Sequence, residues 1–135
     1  MIPLVAVVDD DVAVRESLQS LIRSVGMAVK VYVSAEDFLS SGQPNKLDCL
    51  ILDVRMPGMS GIELHRHLLA SNYKVPVVFI TAHGSDVRAR SEASSDWTAA
   101  YLTKPFSEDE LLDAVHAASR LKSAHNHNSQ TQGVP

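Results

Sequence analysis

Four apolar runs in this chain each stop at a polar side chain: LVAVV at Asp9 and Asp10, CLIL at Asp53, VPVVFI at Thr81 and AAYLT at Lys104. Short runs that are apolar on consecutive positions suit central strands of a parallel sheet, which are covered on both faces. If the runs lie side by side, their carboxyl ends share one edge, and that edge is where open α/β sheets bind ligands. Three carboxylates, a hydroxyl and an ammonium would then face one crevice.

Between the runs lie segments of helical period, the alternation expected of βα units wound into a parallel sheet. From Asp11 to Val25 the apolar residues Val14, Leu18, Leu21, Ile22 and Val25 fall at helical spacing, and Gly26 ends the helix. AVKVYV reads as a second, weaker strand, after which Ser34 caps a short helix through Phe38 and Leu39. SGQPN marks a turn, and the Pro and Gly loop VRMPGMSG leads into a helix over about residues 62–71 with Ile62, Leu64, Leu68 and Leu69 inward. Ser107 and Glu110 form an S-x-x-E capping box for a last helix carrying Leu111, Leu112, Val115 and Ala118. After Lys122 the sequence SAHNHNSQTQGVP is polar and without period, so residues 123–135 are expected to be a disordered tail, with His125 and His127 solvated.

At 135 residues the chain fits one domain. Its formal charge of −4, with no cluster of Lys or Arg, gives no footprint for direct nucleic-acid binding. Cys49 is the only cysteine and sits inside an apolar run, where it reads as a small buried hydrophobe. The opening MIPLVAVVDDD lacks a basic n-region and turns acidic too early for a signal peptide or spanning helix, so no membrane association and a cytoplasmic location are expected.

Asp9 and Asp10, facing Asp53 from a neighbouring strand, would repel one another unless a cation sits between them. A hard, all-oxygen corner suits Mg²⁺, which takes one or two carboxylates, keeps several waters and binds a substrate phosphate. Asp11 has a separate use as a helix cap. Lys104, placed after an apolar strand and before Pro105, is not where a merely solubilising lysine would lie. A carboxylate that attacks a phosphoryl group needs both charges neutralised, and a magnesium ion with Lys104 would do that.

The four motifs VVDDD (7–11), LDVRMPGMSG (52–61), ITA (80–82) and YLTKPF (101–106) together resemble the receiver domain of bacterial two-component response regulators. The likeness runs over about residues 4–120, and the wording of DVRMPGMSG and TAHG is similar to receivers usually joined to a helix-turn-helix output domain. It implies a doubly wound, flavodoxin-like sheet of five parallel strands in the order 2-1-3-4-5, with helices on both faces, over residues 1–122. It implies Asp53 as phosphoacceptor, with Mg²⁺ bound by Asp10, Asp53 and the backbone carbonyl of Arg55, and Asp9 acting through a metal-bound water. Thr81 and Lys104 would hold phosphoryl oxygens, Thr81 and Tyr101 would form the switch, and the Lys104–Pro105 peptide bond would be cis. Arg55 and His83 stand at positions that resemble the family's tuners of phosphoryl lifetime. The expected partners are a sensor histidine kinase or histidine phosphotransfer protein and a downstream protein, with a homodimer left open.

The resemblance breaks at SSDWTAAYL, where receivers usually carry a Gly-Ala pair and this chain has none, with about one extra residue before Lys104. Asp96 is expected to take the left-handed backbone state there, and the fourth helix, VRARSEASSDW, to be short or loose with Trp97 as its anchor. Two other readings stand beside the switch. An aspartyl-phosphate phosphatase would need a second acid/base carboxylate near the nucleophile, where this chain has Arg55; a receiver-like binding module would never be phosphorylated.

Overall fold

The computed structural model describes residues 2–132, with side chains described through residue 126. Strands β1 (Leu4–Val8), β2 (Ala28–Tyr32), β3 (Cys49–Asp53), β4 (Val77–Thr81) and β5 (Thr98–Thr103) alternate with helices α1 (Val12–Ser24), α2 (Ala35–Ser41), α3 (Gly61–Ala70), α4 (Val87–Ala93) and α5 (Glu108–Gln132). The strands make one sheet in the order β2-β1-β3-β4-β5 with every neighbouring pair parallel, as the resemblance implies.

Side chains on a strand alternate between faces, and this alternation sorts the core into two layers. Ala6, Val8, Leu50, Leu52, Val77 and Phe79 pack with Phe38 of α2, Leu64 and Leu68 of α3 and Ala93 of α4. Val5, Val7, Cys49, Ile51, Val78 and Ile80 face the other way, onto Leu18 and Ile22 of α1 and Leu111, Val115 and Ala118 of α5. Cys49 is buried, and burial raises its thiol pKa, so it is an inert core side chain here.

Polar caps start the helices where the sequence places them. The Asp11 carboxylate accepts from Ala13 N–H at 2.9 Å, the Ser34 hydroxyl from Asp37 N–H at 2.9 Å and the Ser107 hydroxyl from Glu110 N–H at 3.0 Å. A reciprocal capping box, Ser60 with Glu63, opens α3. Its S-x-x-E signal was present in SGIE. Gly61 lets this helix start against β3: a Cβ there would lie 2.2 Å from the backbone oxygen of Asp53.

Two expectations are corrected. Val25 is 44% exposed because it sits at the C-cap of α1 and not on its inner face. Asp96 does not take a left-handed conformation; among described non-glycine residues only Asn72, after α3, has positive φ. The short α4 instead ends at Ser94 in extended backbone, with Val87 78% exposed and Ala93 as its buried residue.

A hydroxyl network replaces the missing glycine turn. Thr98 Oγ1 donates to the Ala93 carbonyl at 2.5 Å and takes the proton of Ser95 Oγ at 3.1 Å. Ser95 Oγ is thereby left to accept from Trp97 N–H at 3.1 Å and from Nε2–H of His65, on α3, at 2.8 Å. His65 is buried against Phe79, and burial lowers its pKa to about 4, so it stays neutral with the proton on Nε2.

The last helix continues past Lys122 as far as Gln132, into the stretch that composition reads as tail. Extending a helix costs less than nucleating one, and two contacts hold the extension. Lys122 Nζ donates to the Leu47 carbonyl at 2.9 Å and pairs with Asp48 at 3.2 Å. The His125 ring, expected to be solvated, stacks on Trp97 at 3.9 Å between centroids. The reading of His127 lies outside the residues with described side chains.

Ser95→Ala is expected to destabilise the fold by roughly 1–3 kcal/mol, because His65 Nε2–H and Trp97 N–H both lose their acceptor. Urea denaturation checks this, and Ser94→Ala beside it should fall within about 0.5 kcal/mol of wild type.

Candidate functional site

Parallel register brings the ends of β1, β3, β4 and β5 to one edge of the sheet. Val8 stands beside Leu52, Asp53 beside Ile80, and Thr81 beside Thr103, while Lys104 N–H continues the ladder to the Thr81 carbonyl at 2.7 Å. Asp9, Asp10 and Asp53 converge there, each offering a carboxylate oxygen within 4.8 Å of the others. At that separation two like charges repel by roughly 3 kcal/mol at an effective dielectric of ~20.

The three carboxylates are held differently. Asp9 is fully buried; its Oδ1 accepts from Asp11 N–H at 2.9 Å and its Oδ2 from Lys104 Nζ at 3.1 Å. Arg15, on α1, fixes the backbone here by donating to the Asp9 carbonyl at 2.7 Å. Asp10 is exposed. Asp53 is buried, with Oδ2 3.6 Å from Lys104 Nζ and Oδ1 3.4 Å from Arg55 N–H. The Lys104–Pro105 bond is cis.

Burial first, then the Asp9 carboxylate, push the pKa of Asp53 up to about 6 against the pull of Lys104. One ammonium does not neutralise the cluster, and the donors are hard oxygens. This is the deficit a divalent cation of magnesium's preferences fills, so the residues fit Mg²⁺.

Thr81 is buried, and its hydroxyl accepts from His83 N–H at 3.0 Å. Tyr101 on β5 packs beside Phe79, with ring centroids 6.1 Å apart, and the Arg90 guanidinium lies 5.3 Å from the centre of its ring. Its hydroxyl is buried without a hydrogen-bond partner among the described residues. Burial, and then the charge of Asp86, raise its pKa above the ordinary phenol value.

The structure therefore gathers Asp9, Asp10, Asp53, Thr81 and Lys104 at one edge, with Arg55 and Tyr101 adjoining. His83 is exposed on the loop after β4. Two supporting residues had no signal that singled them out. Glu36 of α2 accepts from Met59 N–H at 3.1 Å, tying down the loop after β3, and Asp86 pairs with Arg55 at 2.7 Å. An N-cap at Asp86 is readable in SDVRAR; its partner 31 residues earlier is not.

The family model of the response regulator receiver domain matches residues 5–116. Nodulation protein W of Bradyrhizobium diazoefficiens is 44% identical over 116 residues, covering 86% of this chain and 51% of that protein. The response regulator StyR superposes with a TM-score of 0.84 at 44% identity, over 98% of this chain and 66% of that one. The response regulator TrrA of Thermotoga maritima, solved in complex with Mg²⁺-BeF, has a TM-score of 0.72 at 27% identity over 87% of this chain and 99% of that one. The chain spans about half the length of the curated relatives it matches. Among the described residues no helix is long and apolar enough to cross a membrane.

A carboxylic acid whose folded-state pKa lies above its unfolded value of 3.8 supports the fold while protonated, and that contribution is lost as pH rises through about 6. Asp53→Asn, which cannot ionise, is therefore expected to gain stability over wild type by on the order of 1 kcal/mol near pH ~7.5 in magnesium-free buffer, and nothing near pH ~4. Urea titrations in EDTA at both pH values measure it; equal stability at the higher pH contradicts the assignment. Fold, motifs and site geometry together place this chain in the response regulator receiver domain family of two-component signalling, whose members take a phosphoryl group from histidine kinases and act on downstream partners.

Proposed function

We propose that this chain is a phosphoacceptor switch in which Asp53 takes a phosphoryl group from the phosphohistidine of a sensor kinase or phosphotransfer protein. The single observation that carries the reading is Asp53 itself: a buried carboxylate at a strand end, facing Asp9 and reached by Lys104. An Asp53 oxygen forms the new P–O bond as the P–N bond to the donor imidazole breaks, and the electron pair leaves with the imidazole nitrogen. Asp10, Asp53 and the Arg55 carbonyl, with Asp9 nearby, would hold magnesium, which would supply the charge neutralisation that a phosphoryl transfer demands.

Lys104 balances charge from the opposite side and, with the Thr81 hydroxyl, holds phosphoryl oxygens. That hydroxyl accepts one backbone N–H and keeps its own proton to donate. Tyr101 completes the switch: its unpartnered hydroxyl and its place between Phe79 and Arg90 make its position sensitive to Thr81. A cleft of about 330 Å³ beside Lys104, lined by Ala13, Val14, Ser17, Leu18, Pro105 and Phe106, offers the phosphodonor a mostly apolar seat between α1 and the β5–α5 connection. Residues 1–122 suffice for the transfer, which belongs in the cytoplasm, where a kinase presents its phosphohistidine. The output is a changed protein-contact surface and not turnover of a metabolite.

Incubation with acetyl phosphate and Mg²⁺ is expected to add one phosphoryl group to wild type and none to Asp53→Asn, read by intact mass. Steady release of phosphate without accumulated label would support a phosphatase, and no label would support an unphosphorylated module. Arg55 and His83 shield the acyl phosphate from water in this reading. Each replaced by Ala should shorten the lifetime of the labelled protein by about 2- to 10-fold, and an unchanged decay rate refutes that role.

A further inference from the structure

We propose that Asp86 is a positioning residue that holds the Arg55 guanidinium away from Asp53 until a phosphoryl group arrives, so that one cation is contested between the phosphoryl oxygens and the cap of α4. The inference rests on Asp53 being the phosphoacceptor.

Asp86 uses both carboxylate oxygens. Oδ1 accepts from Ala89 N–H at 3.0 Å and caps α4, while Oδ2 accepts from Arg55 at 2.7 Å. Its backbone joins the same junction: Asp86 N–H donates to the His83 carbonyl at 3.1 Å, two residues beyond Thr81. One residue thus ties the β3–α3 loop, the β4–α4 loop and the first turn of α4 together.

The helix it caps depends on that cap. It is seven residues long, with Ala93 as its buried residue and Val87 78% exposed, so little apolar packing holds it. Cap and hydroxyl network bracket the helix at its two ends.

Arg55 sits where the two acceptors compete. Its backbone N–H lies 3.4 Å from Asp53 Oδ1, and its side chain is 55% exposed, so solvent leaves room for it to turn once released from Asp86. Asp86 offers a single negative charge. A phosphoryl group on Asp53 brings close to two, on oxygens that suit the forked guanidinium. Once Arg55 turns toward them, the carboxylate of Asp86 loses the contact that fixes its second oxygen, and the start of α4 loosens. Arg90 lies on α4 against the Tyr101 ring, so the same loosening reaches the switch tyrosine.

Asp86→Asn separates this role from capping, because Asn is as good an N-cap as Asp but carries no charge. Hydrogen exchange across residues 87–93 is followed in the full chain before and after acetyl phosphate and Mg²⁺, with the label counted by intact mass. Labelled wild type is expected to exchange about 2- to 5-fold faster there than unlabelled wild type. Unlabelled Asp86→Asn should already show that faster exchange, with no further rise on full labelling. Raising salt from about 0.05 M to about 1 M should bring unlabelled wild type toward the variant while leaving the variant unmoved. Full labelling with the same rise in both proteins, or no rise in either, overturns the proposal and leaves the phosphoacceptor standing. Absence of label overturns the phosphoacceptor and this proposal with it.

Discussion

Like charge crowded at the end of a sheet is the constraint on which this structure turns. Three carboxylates within 4.8 Å of one another cost free energy in a metal-free fold, and the parallel register of β1 and β3 sets the ends of those strands side by side. The arrangement survives because the two core layers beneath it are dominated by tightly buried apolar side chains. The core offsets the strain at the edge, and the site acquires a standing affinity for positive charge. Lys104 meets part of it. A divalent ion would meet the rest, and a site neutralised in that way is suited to an anionic phosphoryl group.

Much of this was legible from the chain because the informative residues lie at strand ends. An apolar run that stops at Asp53 or Lys104 announces both a buried strand and an edge, and the period of the run fixes which side of the sheet each neighbour faces. Caps at Asp11, Ser34 and Ser107 were readable for the same reason: a helix start needs a side-chain acceptor within three residues, a local requirement that local sequence records. The receiver motifs added strand order and roles that residue patterns alone do not carry.

The connection from α4 to β5 was not legible, and the physical reason is specific. A glycine in a left-handed turn is one solution to leaving a helix; a serine whose hydroxyl is shared among His65, Trp97 and Thr98 is another. The second depends on a histidine 30 residues earlier, so no window of sequence contains it. The same holds for Arg55 with Asp86 and for Glu36 with Met59. Each joins loops that meet only after the sheet has formed, and each is a polar contact with no periodic signature. The helical extension after Lys122 escaped notice for a related reason, since its anchor is a ring stacked on Trp97 and not an apolar stripe of its own.

That extension changes the mechanics of the molecule. With 25 residues at ~1.5 Å each, α5 is about 37 Å long, whereas a five-residue strand spans about 17 Å. The helix therefore outruns the strands, and its part past the core is held by the Lys122–Asp48 pair and by the aromatic stack at His125. Trp97 is also the residue through which the α4–β5 connection enters the sheet, since its carbonyl accepts Val77 N–H at 2.8 Å. A tilt of ~5° at Lys122 sweeps the far end by about 1–2 Å. A small rotation about Lys122 is thus magnified along the last turns of the helix.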